Sequence, residues 1–347
     1  MPNKKHLLAF ILSLLLFLSA CSAKTASSNP DASQPAKPVS DNRDPLLASD
    51  TELSAEDIVP WNALHEYGGL YLLSPTFGIE ALSCSQQTQQ LYTDWTIAEY
   101  LALEKSLQPD QDMIYYMNPS NFVEKIGGRY LRGAIDYEHA QCNLNTPEFR
   151  EILQSALDAG RYDGGYNPEK NVPQRILDGD LICCYVELSS ALEVSFDRYR
   201  CGQTLHYVGW PTPDGSSGLD IKLMTPLGVS ASTACPEGCW EFLKYLVLHP
   251  WMEYSADGTP IYAPLLEDNL DVLKGLDVPY AEITTFDDVQ VVVELANTCK
   301  TMDFYDTTAL SVILEVLGEL ESGSIDLDNA LGRMQSKLSL YLMEQYG

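Results

Sequence analysis

Basic residues are scarce in this chain of 347 residues, which has 21 lysines and arginines against 49 aspartates and glutamates. The formal net charge is -28 at pH 7, and the isoelectric point is about 4.3. Nucleic acids and anionic lipid surfaces are bound mainly through basic patches. The composition therefore excludes both as main partners of the folded chain, and we expect no nucleic-acid partner.

Motifs that would indicate an enzyme are also absent. The sequence has no G-x-S-x-G nucleophile elbow, no H-E-x-x-H zinc motif and no phosphate-binding P-loop. The carboxylates are numerous enough to include a pair that could hydrolyse a glycoside, but no spacing singles one out. The histidines are scattered and no C-x-x-C pair occurs. We therefore predict no enzymatic activity, no metal site and no cofactor.

Long apolar runs are limited to the N-terminus. Lys4 and Lys5 precede an apolar stretch, 7–18, which is typical of an export signal and too short for a confident membrane span. The stretch ends in Leu-Ser-Ala-Cys, which resembles the bacterial lipobox and implies lipidation of Cys21. An ordinary secretory signal followed by a chance cysteine is the alternative. We predict a signal peptide at 1–20 and a membrane contact through the lipid only.

Residues 21–50 are rich in serine, alanine, proline, aspartate and asparagine. Such a segment buries too little apolar surface to fold, so it predicts a flexible tether. The remaining chain, 51–347, is long enough for two modest domains. Eight cysteines follow Cys21, and their even number permits disulfides in an exported protein without revealing the pairing.

The clearest succession of secondary-structure signals runs from Tyr207 to Val247, which we call the organising stretch. It predicts an apolar strand that stops at Pro211, a turn at 212–218, a second strand at 227–231, and a helix that begins at Pro236. Further strands are predicted at 70–73, 75–83, 113–118 and 181–187. Helices are predicted at 94–107, with Thr96 as a possible cap, from a cap at Asn145 or Thr146 to 157, at 286–302, at about 307–320 and from Asp326 to the C-terminus. The alternation of strands and helices indicates an α/β fold.

The order of several weak motifs is more specific than any one of them. A V-G-W-P-T-P-D-G run at 208–215 precedes L-G-V-S-A-S and then P-E-x-x-W-E-F-L-K-Y-L. Upstream, G-L-Y-L-L-S-P-T-F-G-I-E-A-L and W-T-I-A-E occur in the same order. Together they resemble the extracellular solute-binding proteins, family 1, the maltose-binding-like lipoproteins of sugar ABC importers. The resemblance implies an α/β, periplasmic-binding-protein-like fold of type 2 with two lobes.

The resemblance also implies candidate ligand-binding residues. These are an acid at the end of a strand, aromatic residues that could stack on a sugar, and a second acid two residues from one of them: Glu80, Tyr115, Tyr185, Glu187, Trp210 and Tyr305. Each has a structural alternative. Glu80 could be an ordinary strand-end acid, Tyr115 could belong to an aromatic core strand, and Trp210 before a proline could be a core residue.

The chain departs from the family pattern near its N-terminus, between the lipobox and the region of Leu53. The family has roughly ninety more residues between the lipobox and the region of Leu53, which hold the first lobe's β-α-β units. We therefore expect a shortened lobe one, 51–82 plus parts of 255–305. Lobe two is expected at about 90–250 plus the C-terminal helices. Lobe closure on a ligand is then in doubt.

Two functions follow from the sequence. The first is a lipid-anchored component of an ABC importer at the outer face of the cytoplasmic membrane. It would bind a carbohydrate or another small molecule in a cleft between lobes and deliver it to permease subunits. The alternative is a degenerate surface lipoprotein that serves as an interaction or sensory module without transport.

Overall fold

The computed structural model describes Leu47 and residues 50–66, 70–108, 111–115, 117–159, 171–230, 232–250, 258–303 and 306–347. The predicted signal peptide, Cys21, most of the tether and Tyr305 lie outside the described residues. Leu47 and Asp50, at the end of the predicted tether, are described. Leu47 is buried and Asp50 is half-buried, so this end of the segment is held against the folded protein.

Strand β1 (Thr76–Cys84) lies at the centre of the fold. Its first residue is half-buried and the other eight are buried, because both faces of the strand are covered. The alternation of a strand sends Phe77, Ile79 and Ala81 to one face, and Leu82 and Cys84 to the other. Leu82 and Cys84 belong to one hydrophobic core, and the other three belong to a second core. β1 is therefore the wall shared by both cores.

Among the described residues, seven strands form one mixed sheet. Besides β1, they are β2 (Asp112–Ile114), β5 (Leu181–Leu188), β6 (His206–Val208), β7 (Asp220–Leu223), β8 (Thr259–Pro260) and β9 (Thr301–Met302). Their order is β2-β5-β1-β7-β9, and β6 and β8 also pair with β1. β1 is antiparallel to β5, β6, β7 and β8, whereas β2 pairs with β5, and β9 with β7, in parallel. A separate hairpin joins β3 (Ile135–Asp136) to β4 (Gln141–Cys142).

Helices cover both faces of the sheet, which confirms the predicted α/β class. The described helices are α1 (Trp61–Leu64), α2 (Gln86–Tyr92), α3 (Ile97–Ser106), α4 (Pro119–Phe122), α5 (Gly128–Ala134), α6 (Pro147–Ala159), α7 (Val172–Asp178), α8 (Ala191–Cys201), α9 (Pro236–Leu248), α10 (Leu266–Lys274), α11 (Phe286–Thr298), α12 (Thr307–Glu321) and α13 (Leu327–Tyr346). Short 3₁₀ turns lie at Ala55–Asp57 and Ala263–Leu265, and a π-helical segment, Val123–Gly127, joins α4 to α5.

The two cores divide these helices between the faces of the sheet. The first core takes residues from α3, α4, α5, α6, α12 and α13 and packs on the face of Leu82 and Cys84. The second core takes residues from the N-terminal segment and from α8, α9, α10 and α11 and packs on the face of Phe77 and Ile79. The boundaries predicted for the two lobes stay a prediction.

Helix starts follow the local sequence signals closely. Thr96 caps α3, since its side chain accepts from the Glu99 backbone N–H at 3.1 Å while the Glu99 carboxylate accepts from the Thr96 N–H at 2.7 Å. Pro236 begins α9 as predicted. The Asp326 carboxylate accepts from the backbone N–H of Asn329 at the start of α13, which is also as predicted.

Two predicted strands, 70–73 and 227–231, are wrong. Among the described residues of these stretches, only Leu73 and Leu227 pair, in an isolated antiparallel bridge. Their backbones exchange two hydrogen bonds, of 2.9 and 2.8 Å. Pro75 and Pro226 flank the bridge, and proline lacks the N–H that would extend a ladder. The second strand of the organising stretch is instead β7, which the sequence reading missed.

No helix in the described parts of the chain is both long enough and apolar enough to be a candidate membrane span.

Candidate functional site

A cavity of about 660 Å³ opens beside β5, next to the point where β2 ends. β2 pairs with β5 only as far as Ile114 and Cys183, and the chain then turns at Tyr115 toward α4. The walls come from this turn, from the helical segment that follows it, from β5 and from the chain just after β6. The lining residues are Tyr115, Met117, Asn121, Glu124, Lys125, Cys184, Tyr185 and Trp210. Three of the predicted ligand residues, Tyr115, Tyr185 and Trp210, therefore line one cavity.

The aromatic rings of this cavity already have cationic neighbours. The Tyr185 and Trp210 rings are tilted by 43° with their centroids 6.0 Å apart. The Lys125 ammonium lies 5.1 Å from the centre of the Tyr185 ring, and the Arg129 guanidinium carbon lies 5.4 Å from that of Trp210. Both distances are within the range of cation–π attraction. Trp210 is fully buried, whereas the Tyr185 side chain is exposed.

The segment 119–134 brings the cations to the cavity. Asn118 caps α4 by accepting from the Asn121 N–H at 2.8 Å, and Pro119 occupies the first helical position. In the π-helical turn that follows, the Gly128 backbone N–H donates a hydrogen bond to the Val123 carbonyl, five residues earlier in the chain. Gly127 permits this close turn, because a β-carbon there would lie 3.2 Å from Cγ1 of Val123. Such turns are frequent at functional sites.

A buried charge network lies on the sheet beneath this segment. We define it as Glu80, Asp220 and Asp303 with Lys125, Arg129 and Arg132. The ion pairs are Lys125 Nζ to Glu80 at 2.7 Å, Arg129 Nη2 to Asp220 at 2.5 Å, and Arg132 Nη1 to Asp220 at 2.9 Å. Glu80 and Asp220 are directly opposite each other in the β1–β7 pair, so their side chains share a face.

The charges of the network set its pKa values. Burial alone would raise the pKa of Asp220, but Arg129 and Arg132 hold it below its usual value. Burial likewise opposes the charged form of Lys125, yet the Glu80 carboxylate keeps the pKa of Lys125 raised. Asp303 has no such close pairing among the described residues, and burial together with the charge of Glu80 raises its pKa to about 6. Asp303 therefore titrates nearer to neutral pH than Asp220 or Lys125.

The three acids of the network also have the composition of a metal site, since one oxygen atom of each lies within 4.8 Å of the others. Three cationic side chains face the same carboxylates, however, and balance their formal charge. A divalent ion would meet this positive charge at close range. The donor set therefore favours the protein's own cations over a metal ion.

The predicted site residues do not all come together. Glu80 is 1% exposed and faces the charge network, where Lys125 stands between it and the cavity-lining Tyr185. Glu187 lies opposite Glu80 across the β1–β5 pair, and its carboxylate accepts from Lys222 Nζ at 2.6 Å. Glu187 is outside the set of residues that line the cavity. Tyr305 lies outside the described residues.

The sequence reading missed Lys125, Arg129 and Arg132. A signal for them was present, because their spacing of four and three residues puts three cations on one helical face in a chain with few basic residues. Asp220 and Lys222 were missed for a related reason. They are the polar face of β7, whose apolar residues alternate with them and pack into the second core.

No family model matches the sequence, and no curated protein matches it either. Solved structures do match. A putative oligosaccharide periplasmic-binding protein from Synechococcus sp. MITs9220 is 14% identical with a TM-score of 0.52, and the match covers 87% of this chain and 81% of that one. The sugar-binding protein MalE from Xanthomonas citri is 15% identical with a TM-score of 0.50, over 87% of this chain and 79% of that one.

A periplasmic solute-binding protein from Pectobacterium atrosepticum matches to a similar extent. It is 15% identical with a TM-score of 0.50, and the match covers 87% of this chain and 79% of that one. At this level of identity the similarity shows the fold and does not identify a ligand of this chain. The element order, the mixed sheet and these matches agree with the resemblance in the sequence. The chain has the periplasmic-binding-protein-like fold of the extracellular solute-binding proteins.

Proposed function

We propose that the protein is the substrate-binding component of an ABC importer and that it binds a carbohydrate in the cavity beside β5. The observation that carries this proposal is the convergence of Tyr115, Tyr185 and Trp210 on one cavity of about 660 Å³. Cavities of this size, with aromatic walls and few polar groups, are typical of small-molecule sites. The role is binding rather than catalysis.

The polar groups of the cavity suit neutral hydroxyl groups. Asn121 and Glu124 offer an amide and a carboxylate at the wall. The indole N–H of Trp210 is buried and has no hydrogen-bond acceptor among the described residues. Lys125 is paired with Glu80, so its charge is already neutralised within the protein. A neutral ligand therefore fits this wall better than an anion would.

The experiment is calorimetric titration of the full chain with a panel of mono- and oligosaccharides, supported by thermal shifts, since a ligand that binds the folded state raises its melting temperature. We expect binding by at least one sugar and about tenfold weaker binding by Tyr185→Ala, equivalent to about 1.4 kcal/mol. Tyr199→Ala is the matched control, because Tyr199 is also an exposed tyrosine but lies on α8 outside the cavity wall. A folded protein that binds no sugar of the panel would contradict the proposal.

A second candidate is a surface lipoprotein that acts as an interaction or sensory module without transport. The positions of Lys125 and Arg129 over the Tyr185 and Trp210 rings favour it, because the aromatic faces are engaged within the protein itself. The same titration separates the two candidates. Thermal stability that no sugar changes, in the wild type and in Tyr185→Ala alike, would favour the second.

Lipid anchoring at Cys21 is part of both proposals. The lipobox-like sequence supports it, and we expect the wild-type protein in the membrane fraction of the cells that make it. Cys21→Ser should release the protein from the membrane while the cavity keeps its ligand affinity. Equal membrane association of the variant and the wild type would argue against anchoring at this residue.

A further inference from the structure

Two cysteines stand directly opposite each other at one end of the β1–β5 pair. In the register of this antiparallel pair, Cys84 is the partner of Cys183. Residues directly opposite in an antiparallel pair have α-carbons about 4.5–5.5 Å apart. A disulfide joins residues whose α-carbons are about 4.4–6.8 Å apart. The strand register by itself therefore brings the two residues into disulfide range.

The two thiols also face the same interior. Both side chains are fully buried in the first core. Burial raises the pKa of the Cys183 thiol well above its usual value, and the negative charge of a Cys84 or Cys184 thiolate would raise it further. The Cys183 thiol donates to the Met113 carbonyl at 3.3 Å, so it is already directed into this interior.

The neighbouring cysteine shows that the arrangement is specific. Cys184 is adjacent to Cys183 but faces the opposite side of the sheet, because side chains alternate along a strand. Its partner on β1 is Ser83, which has no thiol. One of the two consecutive cysteines therefore has an opposed thiol and the other does not.

We propose that Cys84 and Cys183 form a disulfide when the chain folds in the presence of a disulfide oxidant, and that this bond joins β1 to β5. With glutathione disulfide as the oxidant, the thiolate of one cysteine attacks a glutathione sulfur and releases one glutathione thiolate. The thiolate of the second cysteine then attacks the mixed disulfide at the protein sulfur and releases the other. Two protein thiols are oxidised, one glutathione disulfide is reduced to two thiols, and the two protons pass to these thiols.

The bond forms during folding rather than afterwards. Burial raises the pKa of Cys84 to about 12 in the folded protein, so its reactive thiolate is scarce there. In the unfolded chain the thiols have ordinary pKa values, near 8.5, and are accessible. Once the first core has closed, an oxidant cannot reach the reduced pair and a reductant cannot reach the oxidised pair. The redox state at the time of folding is therefore preserved.

A bond between Cys84 and Cys183 would also constrain the wall of the cavity. Tyr185, which lines the cavity, is two residues from Cys183 on β5, and its partner on β1 is Leu82, two residues from Cys84. A bond at the adjacent pair fixes the register that positions Tyr185 against β1. The pairing of the two cysteines follows from the strand register and from their burial, whatever ligand the cavity binds.

The test uses the full chain, unfolded in denaturant with reductant and then refolded with either reduced or oxidised glutathione. Each sample is alkylated under denaturing conditions and mapped by mass spectrometry. We expect Cys84 and Cys183 to be joined in one cross-linked peptide after oxidative refolding, and to be alkylated after reductive refolding. Cys235, which is exposed, reports the efficiency of alkylation. Reduced protein that is folded first and then given oxidised glutathione should keep both thiols.

Cys184→Ser is the matched control variant. It should give the same cross-linked peptide as the wild type, whereas Cys84→Ser should leave Cys183 alkylated. The proposal is overturned if Cys84 and Cys183 are both alkylated after oxidative refolding of the wild type, or if the cross-link joins either of them mainly to another cysteine. Because the wild-type peptide map decides the question, the outcome does not depend on the folding of a variant.

Discussion

Arg129 holds together parts of the molecule that are distant in the sequence. Its side chain is 1% exposed and pairs with Asp220, and it donates to the Lys125 carbonyl at 2.7 Å. It thus joins the segment 119–134 to β7. Charges this deeply buried are stable only while their partners are present, since each ion has lost its hydration.

We predict that Arg129→Met lowers the free energy of unfolding by about 3–5 kcal/mol, because it leaves the Asp220 carboxylate buried with less compensation. Urea denaturation measures the change. Arg150→Met is the control, since the pair of Arg150 with Asp328 is largely exposed and should contribute less than about 1 kcal/mol. Equal losses in the two variants would show that Asp220 is compensated by Arg132 alone.

Asp197 offers a prediction with a pH dependence. Burial raises the pKa of Asp197 to about 6, although its carboxylate accepts from the Tyr207 hydroxyl at 3.2 Å. The folded protein then binds more protons than the unfolded chain between about pH 4 and pH 6, so stability falls as the pH rises through this window. Asp197→Asn removes the titration. We expect its melting temperature, relative to wild type, to be higher at pH 7.5 than at pH 4.

Asp288→Asn should show the opposite trend. Burial opposes the charged form of Asp288, but hydrogen bonds from Arg198 and Thr285 hold its pKa below its usual value. The stabilisation from this carboxylate is present above its unfolded pKa and is lost as the pH falls through the folded value. The variant should therefore be destabilised at pH 7.5 and nearly equal to wild type at low pH. Parallel pH profiles for the two variants would contradict at least one of the two assignments.

At the scale of elements, two glycine backbones cross with no room for a side chain. Gly209 follows β6 and Gly218 precedes β7, and the Trp210 N–H donates to the Gly218 carbonyl at 3.1 Å. A β-carbon on Gly218 would lie 1.7 Å from the Trp210 carbonyl oxygen, and one on Gly209 would lie 2.6 Å from the Gly218 backbone. Neither glycine can therefore take a side chain without a backbone shift beside the cavity.

Gly218→Ala should consequently destabilise the protein by more than about 3 kcal/mol or prevent its folding, because overpacking against backbone cannot relax by a rotamer change. Gly332→Ala is the matched control within helix α13, where a β-carbon would meet nothing within 4 Å. That change should stabilise the protein by about 0.5–1 kcal/mol, the usual gain from alanine in a helix interior. Thermal unfolding of both variants decides the prediction, and tolerance of Gly218→Ala would contradict it.

The sequence predicted elements best where a local signal defines them. The capping box of Thr96 and Glu99, Pro236 at the start of α9 and Asp326 before α13 all act within four residues, and each was placed correctly. The strand predictions at 70–73 and 227–231 are wrong because strand pairing depends on a partner that is distant in the sequence. These two apolar runs pair at one bridge only, whereas Asp220–Leu223 pairs with β1 and β9.

The candidate site was predictable to a similar extent. Tyr115, Tyr185 and Trp210 were identified through the resemblance and do share a cavity. The charge network was not identified, because Lys125, Arg129 and Arg132 become partners of Glu80 and Asp220 only when the segment 119–134 lies across the sheet. That juxtaposition is a property of the fold: the spacing of the three cations indicates a shared helical face but does not identify the acids that this face meets.

At the scale of the whole molecule, Asp50 attaches the N-terminal segment to the second core. Its carboxylate accepts from the Trp240 indole N–H at 2.8 Å, from the Lys244 ammonium at 3.0 Å and from the Glu52 backbone N–H at 2.8 Å. Nearby Leu47 is buried in the same core. Any anchor upstream of residue 47 would thus reach the folded protein through this attachment.

We predict that Asp50→Ala lowers the free energy of unfolding by about 1–3 kcal/mol, since it leaves the Trp240 indole N–H unpaired and removes one of the carboxylate partners of Lys244, and that it speeds limited proteolysis near residue 50. Glu52→Ala is the control, because Glu52 contacts the same lysine but its side chain is 65% exposed. Denaturant unfolding and timed proteolysis measure both effects. Equal behaviour of the two variants would show that Leu47 alone holds the segment.

The position of β1 between two cores has a consequence for the exchange of backbone amide hydrogens with solvent. Opening the protein on one side of the sheet still leaves β1 covered by the helices of the other side. Amides from Ile79 to Leu82 should therefore exchange only through global unfolding, whereas those of the peripheral helix α2 exchange through local opening. Hydrogen–deuterium exchange should find β1 the slowest segment of the chain, so that its protection measures the stability of the entire molecule.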